Sequence, residues 1–176
     1  MPPALTIETE RLRGERVGPR HLDAFSALLG DPRVGATLGG VRDREEVTAM
    51  IARHTEALKV DGFTPRAWYD RATGAFVARG GLATKVIEGA SVVELGWAVV
   101  PERWGEGIAT ELAAASVGEA AALGIAGLVA VTMPANVASR RVMEKLGMTY
   151  DHTFEYGIWG PHVLYRLPLQ RRGSML

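Results

Sequence analysis

Two glycines, Gly105 and Gly107, sit where an apolar strand-like run gives way to a long alanine-rich stretch, in Val99-Val100-Pro101-Glu102-Arg103-Trp104-Gly105-Glu106-Gly107-Ile108-Ala109-Thr110. Without a Cβ, the backbone there can turn tightly and approach a ligand. The first amides of a following helix have no internal partners and, with the helix dipole, form an anion site. A pyrophosphate could accept several of these N–H bonds without any lysine; a plain glycine turn before a helix is the alternative reading of the same residues. Two other phosphate loops are excluded. A P-loop needs G-x-x-x-x-G-K-[ST], and no Lys lies near; a dinucleotide fingerprint needs a third Gly where Thr110 stands. The chain has no cysteine, which removes disulfides, thiolate metal sites and a cysteine acyl-enzyme. No His/Asp/Glu cluster has metal spacing, so no metal is expected.

The elements that must position this turn can be read from periodicity. Leu12–Val17 is expected to be a first strand. Pro19–Leu29 reads as a short helix ended by Gly30-Asp31-Pro32, and Arg44–Lys59 as a second helix broken by Asp61-Gly62. Arg66–Tyr69 and Phe76–Leu82 flank a hairpin turn at 70–74. Val92–Val100 is the strongest strand, with Val93, Leu95, Trp97 and Val99 on one face and Glu94 on the other. A helix from about Gly107 to Leu123 follows, then a buried-type strand at Leu128–Met133. Next comes a helix at Ala138–Leu146, closed by Gly147. Strands near Thr149–Phe154 and Val163–Leu167 complete the pattern. The order β-α-α-β-β-β-α-β-α-β-β predicts an α/β (α+β) fold, a mixed sheet of about seven strands covered by about four helices. The segment 170–176 is expected to fray.

The 176 residues fit a single domain over 1–176, and a chain of this size buries roughly 70% of its unfolded surface. Twenty basic and twenty acidic residues give a formal net charge of zero, which argues against bulk attraction to nucleic acid or an anionic membrane. No signal peptide or spanning apolar stretch is visible, so the expected compartment is the cytoplasm.

The glycine turn resembles the coenzyme A motif of the GCN-five-related N-acetyltransferase (GNAT) superfamily, Q/R-x-x-G-x-G/A. Trp104 stands at the Q/R place, Gly107 at the central Gly and Ala109 at the last small residue. W-G-x-G-x-A-T-E is similar to the RimJ/RimL-like branch, which acetylates ribosomal-protein N-termini. A second segment, Asn136-Val-Ala-Ser139-Arg-Arg-Val-Met143-Glu-Lys-Leu-Gly147-Met148, resembles the family pattern N-x-x-[AS]-x-x-x-[YVL]-x-K-x-G-F. Glu8-Thr9-Glu10-Arg11-Leu12 and Gly160-Pro-His-Val-Leu-Tyr165 also look like that branch. The likeness spans about residues 6–168.

The resemblance implies a mostly antiparallel sheet and acetyl-CoA as cosubstrate. The coenzyme would lie in a wedge between the strands 92–100 and 128–133, a backbone amide near Val99 holding the thioester carbonyl. The implied coenzyme-binding residues are Ala98, Val99, Val100, Arg103, Trp104, Gly105, Glu106, Gly107, Ile108, Ala109 and Thr110. To these it adds Asn136, Ser139, Arg140 and Met143, with Arg140 reaching the 3′-phosphate and Asn136 either bonding the pantetheine or capping its helix. An amine would attack directly in a ternary complex, acetylated without a covalent enzyme intermediate. Glu94 is the first candidate base and Glu155 the second, with His152 and His162 as proton relays. Many members place a Tyr acid where Met143 stands, which has no proton to give. In the RimJ/RimL-like branch a Ser is the natural substitute, so the resemblance implies that Ser139, one turn after Asn136 on the same helix face, hydrogen-bonds the leaving thiolate.

Trp68, Tyr69, Trp97, Tyr156 and Trp159 are candidates for the acceptor pocket, with Glu94 and His152 beside them; ordinary core is the alternative, and the favoured one for Trp97. The expected acceptor is a protein N-terminal amine. A small amine (antibiotic, polyamine or amino acid) and an idle acyl-CoA-binding sensor are the competing readings. A wide acidic groove would favour a peptide or polyamine, and a closed aromatic pocket a small molecule. The resemblance also implies a homodimer as one state of assembly.

Overall fold

The computed structural model describes residues 5–170. Strand β1 (Thr6–Glu8) and strand β2 (Leu12–Arg16) are followed by three helices, α1 (Leu22–Leu29), α2 (Pro32–Gly35) and α3 (Arg44–Asp61). Three strands come next, β3 (Arg66–Asp70), β4 (Phe76–Ile87) and β5 (Ala90–Val99). The rest alternates: α4 (Ile108–Ala122), β6 (Gly127–Thr132), α5 (Val137–Lys145), β7 (Thr149–Glu155) and β8 (Pro161–Pro168). The strands form one sheet in the order β1-β2-β3-β4-β5-β6-β8-β7. Every neighbouring pair is antiparallel except β5 with β6. The expected mixed, mostly antiparallel sheet is present, with one more strand and one more helix than anticipated. Strand β1 is three residues, too short to show alternation, and exists by pairing with Arg13–Glu15. Of the expected frayed tail, residues 171–176 lie outside the described residues.

Local chemistry explains the boundaries. Asp43 caps α3, accepting from the Glu46 amide at 2.8 Å while the Glu46 carboxylate accepts from the Asp43 amide at 2.9 Å. Gly62 ends that helix in the left-handed region at φ 79°. Between β4 and β5 the chain reverses at Glu88 (φ 48°) and Gly89 (φ 79°), two positive φ values in a two-residue turn. This is the hairpin geometry that matches the twist of antiparallel strands, and it makes one long ribbon of two strands that sequence reasoning ends short of each other.

The sheet is covered on both faces. Leu82, Leu95, Val99 and Leu128 pack with Ile108 and Leu112 of α4. On the other face Val17 and Ala67 pack with Phe25 and Leu29 of α1 and with Val47 and Ile51 of α3. Arg66 of β3 is 2% exposed and pairs with Glu119 of α4 at 2.5 Å, a buried ionic tie between sheet and helix.

Two features of β5 position the site. First, its parallel ladder with β6 contains a single register pair, Glu94 with Val129. Beyond it the strands part, and β6 continues its pairing with β8. The Val100 amide donates to Val77 of β4 at 2.9 Å. Ladder alternation then turns the Val99 amide the other way, into the gap. Second, Ala83 faces Glu94, Gly81 faces Gly96 and Arg79 faces Ala98. Directly opposed residues share a face, so small residues clear a floor between Arg79 at one end and Glu94 at the other. A Cβ built on Gly96 meets nothing within 4 Å.

Candidate active site

A cleft of about 960 Å³ passes through the gap between β5 and β6. One mouth is the turn into α4. Gly105 (φ 81°) and Gly107 (φ 80°) both adopt left-handed backbone there, which is why glycine is required. No side chain caps α4, and Gly107 stands at its N-cap. A Cβ on Gly105 would meet nothing within 4 Å. The amides of Ile108, Ala109 and Thr110 thus start a helix of fifteen residues beside open space.

This turn is held by residues far away in the chain. The Arg11 guanidinium donates to the Glu106 carbonyl at 2.9 Å and to the Glu111 carboxylate at 2.6 Å. Thr9 Oγ1 donates to the same carboxylate at 2.5 Å. Glu8–Leu12 is legible in the sequence as a family likeness but its task is not, because its partners Glu106 and Glu111 lie far along the chain. Arg103 ties Glu106 (2.7 Å) to Asp70 at the end of β3 (3.1 Å). Trp104, which departs from the general motif, donates its indole N–H to the Val99 carbonyl at 2.8 Å and so pins the turn to the end of β5.

Helix α5 forms one wall. Asn136 caps it, accepting from the Ser139 amide at 3.2 Å, and donates to Thr132 Oγ1 at 3.0 Å. Ala138, Ser139 and Val142 line the cleft with Arg141 and Lys145. The Ser139 hydroxyl has no hydrogen-bond partner among the described residues. Met143 lines the cleft but is only 1% exposed, packed against Ala130, Val163 and Tyr165. Arg140 does not line the cleft: it donates to Tyr165 Oη at 3.1 Å and to the Pro134 carbonyl at 3.1 Å. The helix period separates it from Arg141 and Lys145, so these two, not Arg140, are the α5 cations that line the cleft. Val100 and Glu106 also stand outside the lining, the latter occupied by Arg103.

Across the gap the cleft opens on the opposite face of the sheet, under α3 and the β7–β8 hairpin. Glu94 is half-buried there. Burial raises its carboxyl above the usual carboxylate range, against the pull of Lys85, Arg79 and His162. Tyr156, Trp159 and His162 stand beside it. Tyr156 contacts His162 edge-on at 5.2 Å and Trp159 at 5.3 Å between ring centres. Burial and the nearby Glu94 raise the Tyr156 phenol. Trp159 lies on Gly39 of the α2–α3 loop so closely that a Cβ there would clash with its ring.

Other expected residues lie elsewhere. Trp68 is 0% exposed and donates its indole N–H to the Gly80 carbonyl at 3.0 Å; it is core, because its strand face looks toward α4. Tyr69 packs with Phe76 and His21. His152 is held outside the cleft between Glu88 (2.6 Å) and Asp151 (2.5 Å), which raise its pKa, the Asp151 hydrogen bond most. Glu155 is exposed and does not line the cleft. Trp97 does both things weighed for it, packing against core while lining the cleft. Arg42, Arg53, His54, Arg79 and Lys85 also line this mouth, and none was singled out from sequence.

A family model described as "Acetyltransferase (GNAT) domain" matches residues 11–149. The chain belongs to the GNAT acetyltransferase family. It is 31% identical over 149 residues to YkkB, an uncharacterized protein of Bacillus subtilis, covering 84% of this chain and 87% of that one. It is 34% identical over 160 residues to the FsC-acetyl coenzyme A-N(2)-transacetylase of Aspergillus fumigatus, covering 85% and 67%. Among solved structures it is similar to RimL, a ribosomal L7/L12 alpha-N-protein acetyltransferase in complex with coenzyme A. That likeness has a TM-score of 0.77 and 16% identity over 93% of this chain and 98% of that chain.

As a GNAT protein the chain is an acetyl-CoA-dependent N-acetyltransferase. Its cleft suits that reaction, running from the first amides of α4 on one side of the sheet, past a parted strand pair, to an ionisable pocket on the other. Acetyl-CoA is expected to raise Tm, because a ligand bound to the native state at 100 Kd adds about 2.7 kcal/mol of stability. ATP and NAD, which share phosphates but not the pantetheine arm, are expected to shift it far less. Equal shifts from all three in a thermal melt would reduce the turn to a generic phosphate site.

Proposed function

We propose that the chain acetylates an α-amine by direct attack on the thioester, with Glu94 as base and Ser139 as hydrogen-bond donor to the departing thiolate. The observation that carries this reading is the pairing of a half-buried Glu94 at the closed end of the gap with an unengaged Ser139 hydroxyl on the opposite wall. The Val99 amide, directed into the gap, is the donor for the oxygen on which negative charge develops. Arg141 and Lys145 are placed for the 3′-phosphate. An α-amine with a pKa near 8 needs about 1 kcal/mol for deprotonation at pH 7, whereas a lysine amine near 10.4 needs roughly 4–5 kcal/mol. One carboxylate suffices for the former.

The likeness to RimL supports a protein N-terminus as acceptor. A second reading, a small amine, is favoured by the aromatic lining of the acceptor mouth, where Trp159 rests on Gly39 and against Tyr156. Free-thiol release, followed over a panel of amino acids, amines and uncapped peptides, separates the two: peptides alone as acceptors support the first, small amines alone the second. An absence of thiol release with every amine overturns the transfer reading.

Ser139→Ala is expected to lower kcat about ten-fold while leaving the KM for acetyl-CoA near its wild-type value, the pattern of an interaction made only in the transition state. A rise in KM with kcat unchanged would make Ser139 a ground-state contact instead.

A further inference from the structure

The acceptor mouth carries more positive charge than acetyl transfer requires. Arg42, Arg53, Arg79 and Lys85 line it against two carboxylates, Glu46 and Glu94. Arg79 projects from β4 onto the same face as Glu94, at the far end of the small-residue floor. Its Nε is buried with no hydrogen-bond partner, and no carboxylate lies within 4.0 Å of it among the described residues. Burial, partly offset by Glu94 and reinforced by Arg42, lowers its pKa to about 10, which still leaves it charged at neutral pH. His54 of α3 also has a buried, unpartnered Nε2. Burial and the surrounding Arg79, Lys85 and Arg53 push it down to about 3, so it is neutral and can donate or accept a hydrogen bond without adding repulsion.

Arg79 as a whole is half-buried, but its enclosed Nε has given up water without gaining a partner, which is costly in the free protein. Here two guanidiniums and a neutral imidazole converge with unused donors at one end of a cleft whose other end holds the base. We propose that the acceptor is a small amine bearing its own anionic group, a carboxylate or a phosphate, seated on Arg79 and Arg42 with His54 beside it. This rests on the α-amine reading above. The amine then points along the Gly81–Gly96 floor toward Glu94 and the gap. Arg79 stands four residue steps along the strand from Ala83, the partner of Glu94, about 13 Å between Cα atoms. Both side chains reach inward, leaving room for a molecule with few bonds between amine and anion. Trp159 and Gly39, in contact with each other, line this mouth. The same positive mouth repels polyamines and aminoglycoside-like polycations.

Binding to the coenzyme A-saturated protein tests this without requiring turnover. The probes are the free amino acids and phosphoethanolamine, each matched to its neutral counterpart, the amino-acid amides and ethanolamine. A pentapeptide with a free N-terminus and an amidated C-terminus stands for a protein. At least one anionic amine is expected to bind ten-fold or more tightly than its neutral match. Arg79→Gln is expected to bring that ratio close to one while retaining the thermal shift given by acetyl-CoA, which shows that the variant folds and binds coenzyme. Carboxylate against phosphate pairs tell which anion is used. The proposal is overturned if no anionic amine outbinds its match, if the ratio persists in Arg79→Gln, or if the peptide amide outbinds every anionic small molecule. Binding with the expected ratio but no thiol release would keep the anion site and sink the transfer chemistry.

Discussion

Glu94→Gln is expected to lose about 100-fold in kcat/KM at pH 6.5 and only a few-fold at pH 9, a loss at the lower end of what general base catalysis contributes. The sign follows from two titrations. With an acceptor whose amine has a pKa near 8, such as a peptide or an amino-acid amide, the amine is mostly protonated at pH 6.5, so a base beside it matters; at pH 9 it is already neutral and the substitution removes little. Glu94 itself must be ionised to act. Burial raises its pKa, so the wild-type enzyme should lose its base as pH falls through a value above the ordinary carboxylate range. That acid limb should be absent from the Glu94→Gln profile, which should follow the amine alone. Lys85, Arg79 and His162 oppose the burial effect, so changing any of them would move the limb. Glu155→Gln, altering an exposed carboxylate away from the cleft, should leave the profile as in wild type. A loss for Glu94→Gln that is equal at every pH would mean the carboxylate positions the acceptor rather than taking its proton.

What the sequence disclosed about this site follows from how local each requirement is. Gly105 and Gly107 were legible because positive φ is demanded within the turn itself and only glycine meets it freely. Asn136 and Gly147 were legible for the same reason, being cap residues of one helix. Glu94 was legible from alternation, since a carboxylate among Val93, Leu95 and Trp97 must take the opposite face. Trp68 was misplaced because an aromatic side chain reads alike as core or pocket until its strand partners are known; its 0% exposure comes from Gly14 and Gly80 packing on it. His152 was misplaced because Glu88, its partner from the β4–β5 turn, is 64 residues distant.

The acceptor mouth was the least legible part. Arg42, His54 and Arg79 come from a loop, a helix and a strand, and each alone reads as a solvated charge. Only the register of β4 on β5 places Arg79 over the same floor as Glu94, and only the packing of α3 brings His54 to it. Sequence motifs therefore described the donor half of the reaction, which the family shares. The acceptor half is written in tertiary contacts, and there the chain's own charge pattern has to be read from the fold.

Gly107→Asp sets those two kinds of information against each other, and it is expected to weaken acetyl-CoA at least ten-fold, about 1.4 kcal/mol, without unfolding the protein. The new carboxylate would stand at the N-cap of α4, among the amides assigned to the pyrophosphate. In the free protein that position favours a negative charge through the helix dipole by about 0.3–1 kcal/mol. A left-handed φ of 80° works the other way, costing a non-glycine residue about 1–2 kcal/mol. Asp tolerates that region better than most side chains. Sterically the site accepts a Cβ, whose nearest neighbour is Arg11 Nη2 at 3.5 Å, an ordinary contact and a ready ion-pair partner. The Tm of the free variant should therefore move little, while coenzyme affinity falls because two anions cannot share one helix terminus. Gly107→Asn carries the same shape and backbone strain without the charge, and should lose much less affinity. Equal losses for Asn and Asp would assign the effect to shape. An unchanged Kd for acetyl-CoA in folded Gly107→Asp, measured by calorimetry, would mean that the phosphates bind away from this turn and that the α4 amides do not hold the coenzyme.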